Sequence, residues 1–167
     1  MLRLDESNNR PLCFQIDDMR LDDLDEIVEI EETSGLSRWG YEAYLKEIVR
    51  GDAEGRILLV ARPVESPVRT PTVLGFLCSL VVADEWHINN LATHPEFRRQ
   101  GIGSSLIREG IARARARGAV CGFLEVRASN YSARAFYRAL GFTVWHRRPN
   151  YYSDPVEDAL IMRLELT

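Results

Sequence analysis

Two cations and two glycines stand just ahead of an amphipathic run, Arg98-Arg99-Gln100-Gly101-Ile102-Gly103 before Ser104 to Arg117. Glycines let backbone N–H groups turn inward without a Cβ clash. The first turn of a following helix adds unpaired N–H donors and the positive end of its dipole. The chemistry such a segment suits is the holding of a pyrophosphate. No Gly-Lys-Ser/Thr follows the second glycine, which disfavours a nucleoside-triphosphate loop, and a dinucleotide fingerprint needs a third glycine where Leu106 stands. Taken alone, the same residues suit a surface turn with solvated arginines equally well.

The elements that must position this segment follow from periodicity. Phe14-Gln15-Ile16 reads as a first strand. Leu21, Leu24, Ile27 and Val28 then recur at helical spacing, with Asp22 and Asp23 as candidate N-caps and an end near Thr33. Tyr41, Tyr44, Leu45 and Ile48 mark one face of a second helix closed by Gly51, an aromatic stripe that reads as core. Arg56 to Ala61 suits a strand, and Pro63, Pro67 and Pro71 make the next stretch a loop. Two strands follow, Thr72 to Val82 and Glu85 to Thr93, turning at Ala83-Asp84. Pro95 disfavours helix at His94, so the helix starts around Gly101 to Gly103, with Leu106, Ile107, Ile111 and Ala114 inward. Arg113, Arg115 and Arg117 sit in its last turn, where cations meet the negative helix end, and Gly118 stops it. A fifth strand, Gly122 to Val126, a helix from Ser132 to Leu140 closed by Gly141, and strands Phe142 to Arg147 and Ala159 to Leu166 complete the chain.

Length and composition bound the rest. A chain of 167 residues, 46% hydrophobic, reads as a loose N-terminal tail over 1–12 and one domain over 13–167, large enough to bury a core without disulfides. Cys13, Cys78 and Cys121 are odd in number and include no Cys-x-x-Cys pair, which fits a reducing compartment. His87, His94 and His146 are as scattered, so no metal site is expected. No signal peptide or membrane span is recognisable, and the expected location is the cytoplasm. Net charge is −4, with acids dense in Asp17 to Glu32 and arginines densest in Arg98 to Arg117, and so acidic a chain argues against nucleic-acid binding.

The order strand, two helices, three strands, phosphate loop with helix, strand, helix, two strands resembles the GNAT family of N-acetyltransferases from Phe14 to Leu166. Leu124-Glu125-Val126-Arg127-Ala128-Ser129-Asn130, Ala135-Phe136-Tyr137, Leu140-Gly141-Phe142, Tyr151-Tyr152 and Glu157-Asp158-Ala159 resemble the branch that acetylates the N-terminal alanine of ribosomal protein S18. The resemblance implies an α/β (α+β) fold: a mixed, mostly antiparallel seven-stranded sheet flanked by four helices and splayed between strands 4 and 5. It implies acetyl-CoA as cosubstrate, with no metal. Leu91, Ala92 and Thr93 would pair with the pantetheine arm. Arg98, Arg99, Gln100, Gly101, Ile102, Gly103 and Ser104 would cradle the phosphates, and Asn130 would complete the contacts.

By the same resemblance Glu125 is the base, acting directly or through a water, and Tyr137 the acid that protonates the leaving thiolate, in direct attack within a ternary complex. Glu125 lies in an otherwise apolar strand, where partial burial would raise its pKa, although a solvent-facing strand residue fits the sequence too. Phe136-Tyr137 before Leu140 is also ordinary helix-core spacing. An oxyanion donor is expected among the backbone N–H groups of Leu91 to Thr93. Trp39, Tyr151, Tyr152, Glu157 and Asp158 are the substrate-side candidates, the last four in the turn between the final strands, where solvated acids are the alternative. Arg38 and Gly40 stand where the branch carries Pro and Ser. The implied partner is the S18 N-terminus or a similar peptide, met by a monomer or weak dimer. The rival readings are a broader N-terminal or small-amine acetyltransferase and a non-catalytic acetyl-CoA sensor.

Overall fold

A computed structural model describes residues 12–36, 38–64 and 71–167. The expected tail lies outside them except for Leu12, as does Pro67. Seven strands form one sheet: β1 (Phe14–Asp18), β2 (Arg56–Pro63), β3 (Gly75–Val82), β4 (Glu85–Thr93), β5 (Cys121–Arg127), β6 (Thr143–Ser153) and β7 (Val156–Glu165). Their spatial order is β1-β2-β3-β4-β5-β7-β6, antiparallel throughout except for the parallel β4–β5 pair. Four α-helices flank the sheet: α1 (Leu24–Glu32), α2 (Tyr41–Arg50), α3 (Ile102–Ala116) and α4 (Tyr131–Ala139). The sequence expectation of a mixed, mostly antiparallel seven-stranded sheet with four helices holds. Among the described residues no helix is long and apolar enough to cross a membrane.

Each face of the sheet has its own apolar cluster. On one face α3 inserts Ile102, Leu106, Ile107 and Ala114 against Leu77, Trp86, Leu124, Val126 and Met162. This cluster spans both halves of the sheet. On the other face α1 and α2 place Leu24, Ile27, Ile30 and Tyr44 on Val60, Phe76, Cys78 and Ala92. The Cys78 and Cys121 thiols are buried and unbridged.

Several local expectations need correction. Asp23 stands at the N-cap position of α1 but its side chain does not cap that helix, and Asp22 is not the cap: Leu21–Asp23 is a separate 3₁₀ turn, and Asp23 Oδ2 accepts from the N–H of Arg20 at 2.7 Å. Asp23 is buried and takes both terminal nitrogens of Arg62, at 2.8 and 2.6 Å. The third strand begins at Gly75 rather than Thr72, because Thr72 and Val73 are drawn to the Glu26 carboxylate on α1. The last two strands are longer than their apolar pattern suggests. Pairing runs on through Arg148↔Ala159, Tyr152↔Glu157 and Ser153↔Val156, and an irregularity between Arg148 and Tyr152 absorbs Pro149 and Asn150. Proline is tolerated here because β6 is an edge strand and its pairing is interrupted at this place.

The contact of α3 with the sheet leaves no room at Gly110. A Cβ there meets Trp86 Cζ2 at 2.6 Å and Leu77 Cδ2 at 2.8 Å, and both residues are fully buried. Replacing Gly110 by Ala is therefore expected to lower stability by about 1–3 kcal/mol despite alanine's better helix propensity, as read from urea unfolding.

Candidate active site

The site begins where a ladder stops. β4 and β5 pair only from Glu85↔Cys121 to Ile88↔Leu124. On the other side of β4 the register against β3 jumps from Ser79↔Ile88 to Cys78↔Asn90, so Asn89 is a bulge. The extra residue reverses which face each following side chain meets. Trp86 and Ile88 join the α3 cluster, whereas Ala92 joins the α1–α2 cluster and Asn90 reaches Tyr44 on α2. A bulge also sharpens strand twist, and the two strands part. A cleft of about 1210 Å³ opens along the unladdered part of β4.

One end of the cleft suits an anion. Arg99 and Gly101 have φ of 65° and 82°, and the turn they make delivers the chain into α3. Ser105 N–H reaches Gly101 C=O at 3.0 Å, which leaves the N–H groups of Ile102, Gly103 and Ser104 without intrahelical acceptors. Arg98, Arg99, Gly101, Ile102, Gly103 and Ser104 line the cleft, while Gln100 is not among the lining residues. Arg98 is also a brace: its guanidinium donates to Thr93 C=O at 3.4 Å and to Thr33 C=O, at the end of α1, at 3.2 Å. Leu91, Ala92 and Thr93 line the middle of the cleft. Asn130 lines it too, with Oδ1 capping α4 through Ala133 N–H at 3.0 Å.

Glu125 and Tyr137 face the same cleft. Glu125 lies on the face of β5 turned away from α3, because the strand alternates and points Leu124 and Val126 toward that helix. A third of the Glu125 side chain is open. Arg148 Nη1 donates to its Oε1 at 2.5 Å, and the Tyr151 hydroxyl, its pKa raised by the hydrogen bond to this carboxylate, is a second neighbour. Tyr137 packs its ring on Phe136 and Phe142, 5.1 and 5.6 Å between centroids. Burial pushes its phenol pKa up, so the hydroxyl keeps its proton well beyond neutral pH.

Trp39, Tyr151 and Tyr152 line the cleft. Glu157 and Asp158 do not. All four of the last-mentioned tyrosines and acids sit in the strands of the β6–β7 hairpin rather than in its turn. Glu157 accepts from Ser129 N–H and pairs with Arg127 at 3.4 Å. Asp158 accepts from Asn150 N–H at 2.8 Å and from Arg147 at 2.6 Å. These donors hold both carboxyls below their usual range, and the two acids fasten the hairpin instead of standing open to a peptide.

A buried polar chain, absent from the sequence reading, ties the two walls together. Glu31, 1% exposed, accepts from Trp39 N–H at 2.8 Å, Gly40 N–H at 3.0 Å and the Tyr44 hydroxyl at 2.7 Å. The Tyr44 oxygen accepts in turn from Asn90 Nδ2 at 3.0 Å. Gly40 has φ of 74°, a conformation in which the branch's serine would be strained. A carboxylate in the acidic run Asp17 to Glu32 reads as a solvated charge, and only an Asn in β4 with a bulge before it would have signalled the link. Replacing Tyr44 by Phe removes one hydroxyl while keeping the ring. The Asn90 donor then has no acceptor, and an expected loss of about 1–3 kcal/mol in urea unfolding measures that link.

The chain is similar in sequence and fold to known proteins. The sequence profile of the acetyltransferase (GNAT) family matches residues 21–142. A Bacillus subtilis protein provisionally assigned as a ribosomal protein bS18-alanine N-acetyltransferase is 32% identical over 144 residues, 86% of this chain and 90% of that one. The Escherichia coli K12 enzyme of that name is 43% identical over 94 residues, 55% of this chain and 64% of that protein. The crystal structure of the ribosomal-protein-S18-alanine N-acetyltransferase from Escherichia coli superposes with a TM-score of 0.78 at 30% identity, covering 93% of this chain and 95% of the other. With its sheet parted beside a helix end that suits an anion, and with the family profile, a relative of 32% identity and the fold all matching over most of its length, this chain belongs to the acetyltransferase (GNAT) family.

Proposed function

We propose that this chain transfers the acetyl group of acetyl-CoA to the N-terminal alanine of ribosomal protein S18, by direct attack of the free amine in a ternary complex. The observation that carries the reading is the single cleft that holds the anion-binding end of α3, the unladdered edge of β4, Glu125 and Tyr137 together. The relatives named for this activity support the choice of acceptor.

Acetyl-CoA supplies an activated acyl carbon and a thiolate leaving group; the chain supplies position and protons. Backbone groups of Leu91, Ala92 and Thr93 are free of a β5 partner and suit an amide-bearing arm, as an added strand would. Arg99 and the N–H groups of Ile102 to Ser104 suit the phosphates, with Arg98 bracing their loop. Glu125 accepts the proton of the attacking amine, directly or through a water, and must share its carboxylate with Arg148. Tyr137 holds a proton for the departing sulfur. Trp39, Tyr151 and Tyr152 enclose the first residues of the acceptor.

The test is acetylation, read by mass, of peptides carrying the S18 N-terminal sequence, the same sequence with Ser, Met or acetyl-Ala first, and an internal-lysine control. Preference for free alanine supports the narrow reading. Equal use of several free N-termini makes the enzyme a broad one, and cofactor binding without turnover returns the sensor. Tyr137→Phe is expected to lower kcat by about 10²-fold or more while leaving acetyl-CoA Kd nearly intact in calorimetry. The pH dependence has a definite sign. An α-amine loses its proton near pH 7.7–8.0, so kcat/KM rises through that range. The Tyr137 pKa is raised, so loss of its proton does not turn the profile down below about pH 10.

A further inference from the structure

Arg127, Arg147 and Arg148 are neighbours across the paired strands β5, β7 and β6, and two of the three are tied into the hairpin. Arg127 donates to the carbonyls of Asp154 at 3.2 Å and Pro155 at 3.5 Å and pairs with Glu157, while Arg147 pairs with Asp158 at 2.6 Å. Arg148 is different: among the described residues its one ion-pair partner is Glu125, at 2.5 Å. A bulge makes this contact possible. The β6–β7 register jumps from Val144↔Met162 to His146↔Ile161, which leaves Trp145 out of the ladder. Met162 pairs with Leu124 and Ile161 with Glu125, so the extra residue moves His146 and Arg148 from the α3 face of the sheet to the Glu125 face.

Arg148 then reaches across a whole strand. It stands opposite Ala159 of β7, and Ala159 opposite Arg127 of β5, so its guanidinium spans the roughly 10 Å between β6 and β5. The β7 side chain in that row is only a methyl. Arg148 Cζ also lies 5.4 Å from the centroid of the Tyr151 ring, and the Tyr151 hydroxyl hydrogen-bonds to the same carboxylate. The guanidinium has no lone pair and keeps its protons, so it occupies the base without sharing in proton transfer. The contact is nonetheless loose. The two side chains are 47% and 33% exposed, and ion pairs so exposed are weak and exchange readily. At neutral pH most of an α-amine is ammonium, which can replace the guanidinium charge for charge; a neutral water cannot.

We propose that Arg148 decides which nucleophile reaches Glu125: its guanidinium bars water from the base and yields to the ammonium of an acceptor. The proposal rests on the reading of Glu125 as base given above. The reaction it suppresses is hydrolysis. There a water oxygen bonds to the acetyl carbon, its proton passes to Glu125, the C–S bond breaks and the sulfur takes the Tyr137 proton. The proton on Glu125 returns to Tyr137 through solvent, and the net change is acetyl-CoA and water to acetate, a proton and CoA.

Release of the CoA thiol with no peptide added tests it. Arg148→Gln is expected to raise that rate about tenfold. Arg148→Lys, which keeps a cation, should hold it near that of the unaltered enzyme, and adding Glu125→Gln to Arg148→Gln should return it to the starting level. Binding gives a second reading. In calorimetry Arg148→Gln should tighten a peptide with a free N-terminal alanine about threefold and leave its N-acetylated form unmoved, since only the free terminus brings a cation to the carboxylate. CoA release that Arg148→Gln leaves unchanged, or a rise that Glu125→Gln does not abolish, overturns the proposal while the acetylation reading stands. Weaker binding of both peptides also overturns it and makes Arg148 part of the fastening of the hairpin. Failure to acetylate any free N-terminus, with CoA release following the expected pattern, overturns the choice of acceptor and upholds the role of Arg148.

Discussion

Every feature of the site depends on one break in backbone pairing, the end of the β4–β5 ladder at Ile88↔Leu124. Backbone N–H and C=O groups inside a protein need partners, and a ladder that stops in mid-sheet leaves a row of them to be satisfied by something else. The strands could re-close were nothing holding them apart. The cluster under α3 prevents this, because it packs Leu77 and Trp86 from one half of the sheet and Leu124, Val126 and Met162 from the other against the same helix. The two halves are fixed to a common support, and the gap between them is as rigid as the core. α3 thus has two duties: its flank sets the gap, and its N-terminus presents donors to an anion at the mouth of it.

The walls of the gap are set by hydrogen bonds rather than apolar packing. Burying the Glu31 carboxyl with no ion-pair partner among the described residues is costly, and the cost is offset only if every lone pair that matters finds a donor. Two backbone N–H groups and a phenol do this, and each restricts where its own segment sits. Trp39 is held on one side, while Asn90, one residue beyond the bulge, is held on the other. An apolar core at this place would be as stable and far less exacting about the relative position of the two walls. Arg98 repeats the arrangement at the anion end by joining the C-terminal carbonyl of α1 to that of β4.

What the sequence disclosed and what it hid divide along physical lines. The α3 segment and its glycine loop were legible because glycine before a 3.6-residue apolar period has few other meanings. The strands β2, β4 and β5 were legible because their side chains alternate or run apolar. The long ends of β6 and β7 were not, since Arg147, Arg148, Pro149 and Asn150 carry every mark of a turn and are kept in the sheet by partners distant in the chain, Ala159 and Asp158 among them. Both bulges, at Asn89 and Trp145, depend on register between strands and leave no local mark. Which face Glu125 takes was not legible for the same reason: an apolar strand buries all its residues only when both faces are covered, and no β5 residue joins the cluster under α1 and α2.

The face that Glu125 takes bears on which amine the site can use. A lysine side chain has a reference pKa near 10.4 and an α-amine near 7.7–8.0, a difference of about 2.5 units or about 3.4 kcal/mol of deprotonation at a given pH. A dry pocket can remove this handicap by destabilising the ammonium, as burial does for lysines with depressed pKa values. Glu125 offers no such pocket, because a third of its side chain is open and a guanidinium and a phenol share the carboxylate. Under the reading proposed here the site does little to strip a proton from a reluctant amine and relies on one that is already partly free. The preference for a chain terminus over an internal lysine is then a property of the amine as much as of the walls.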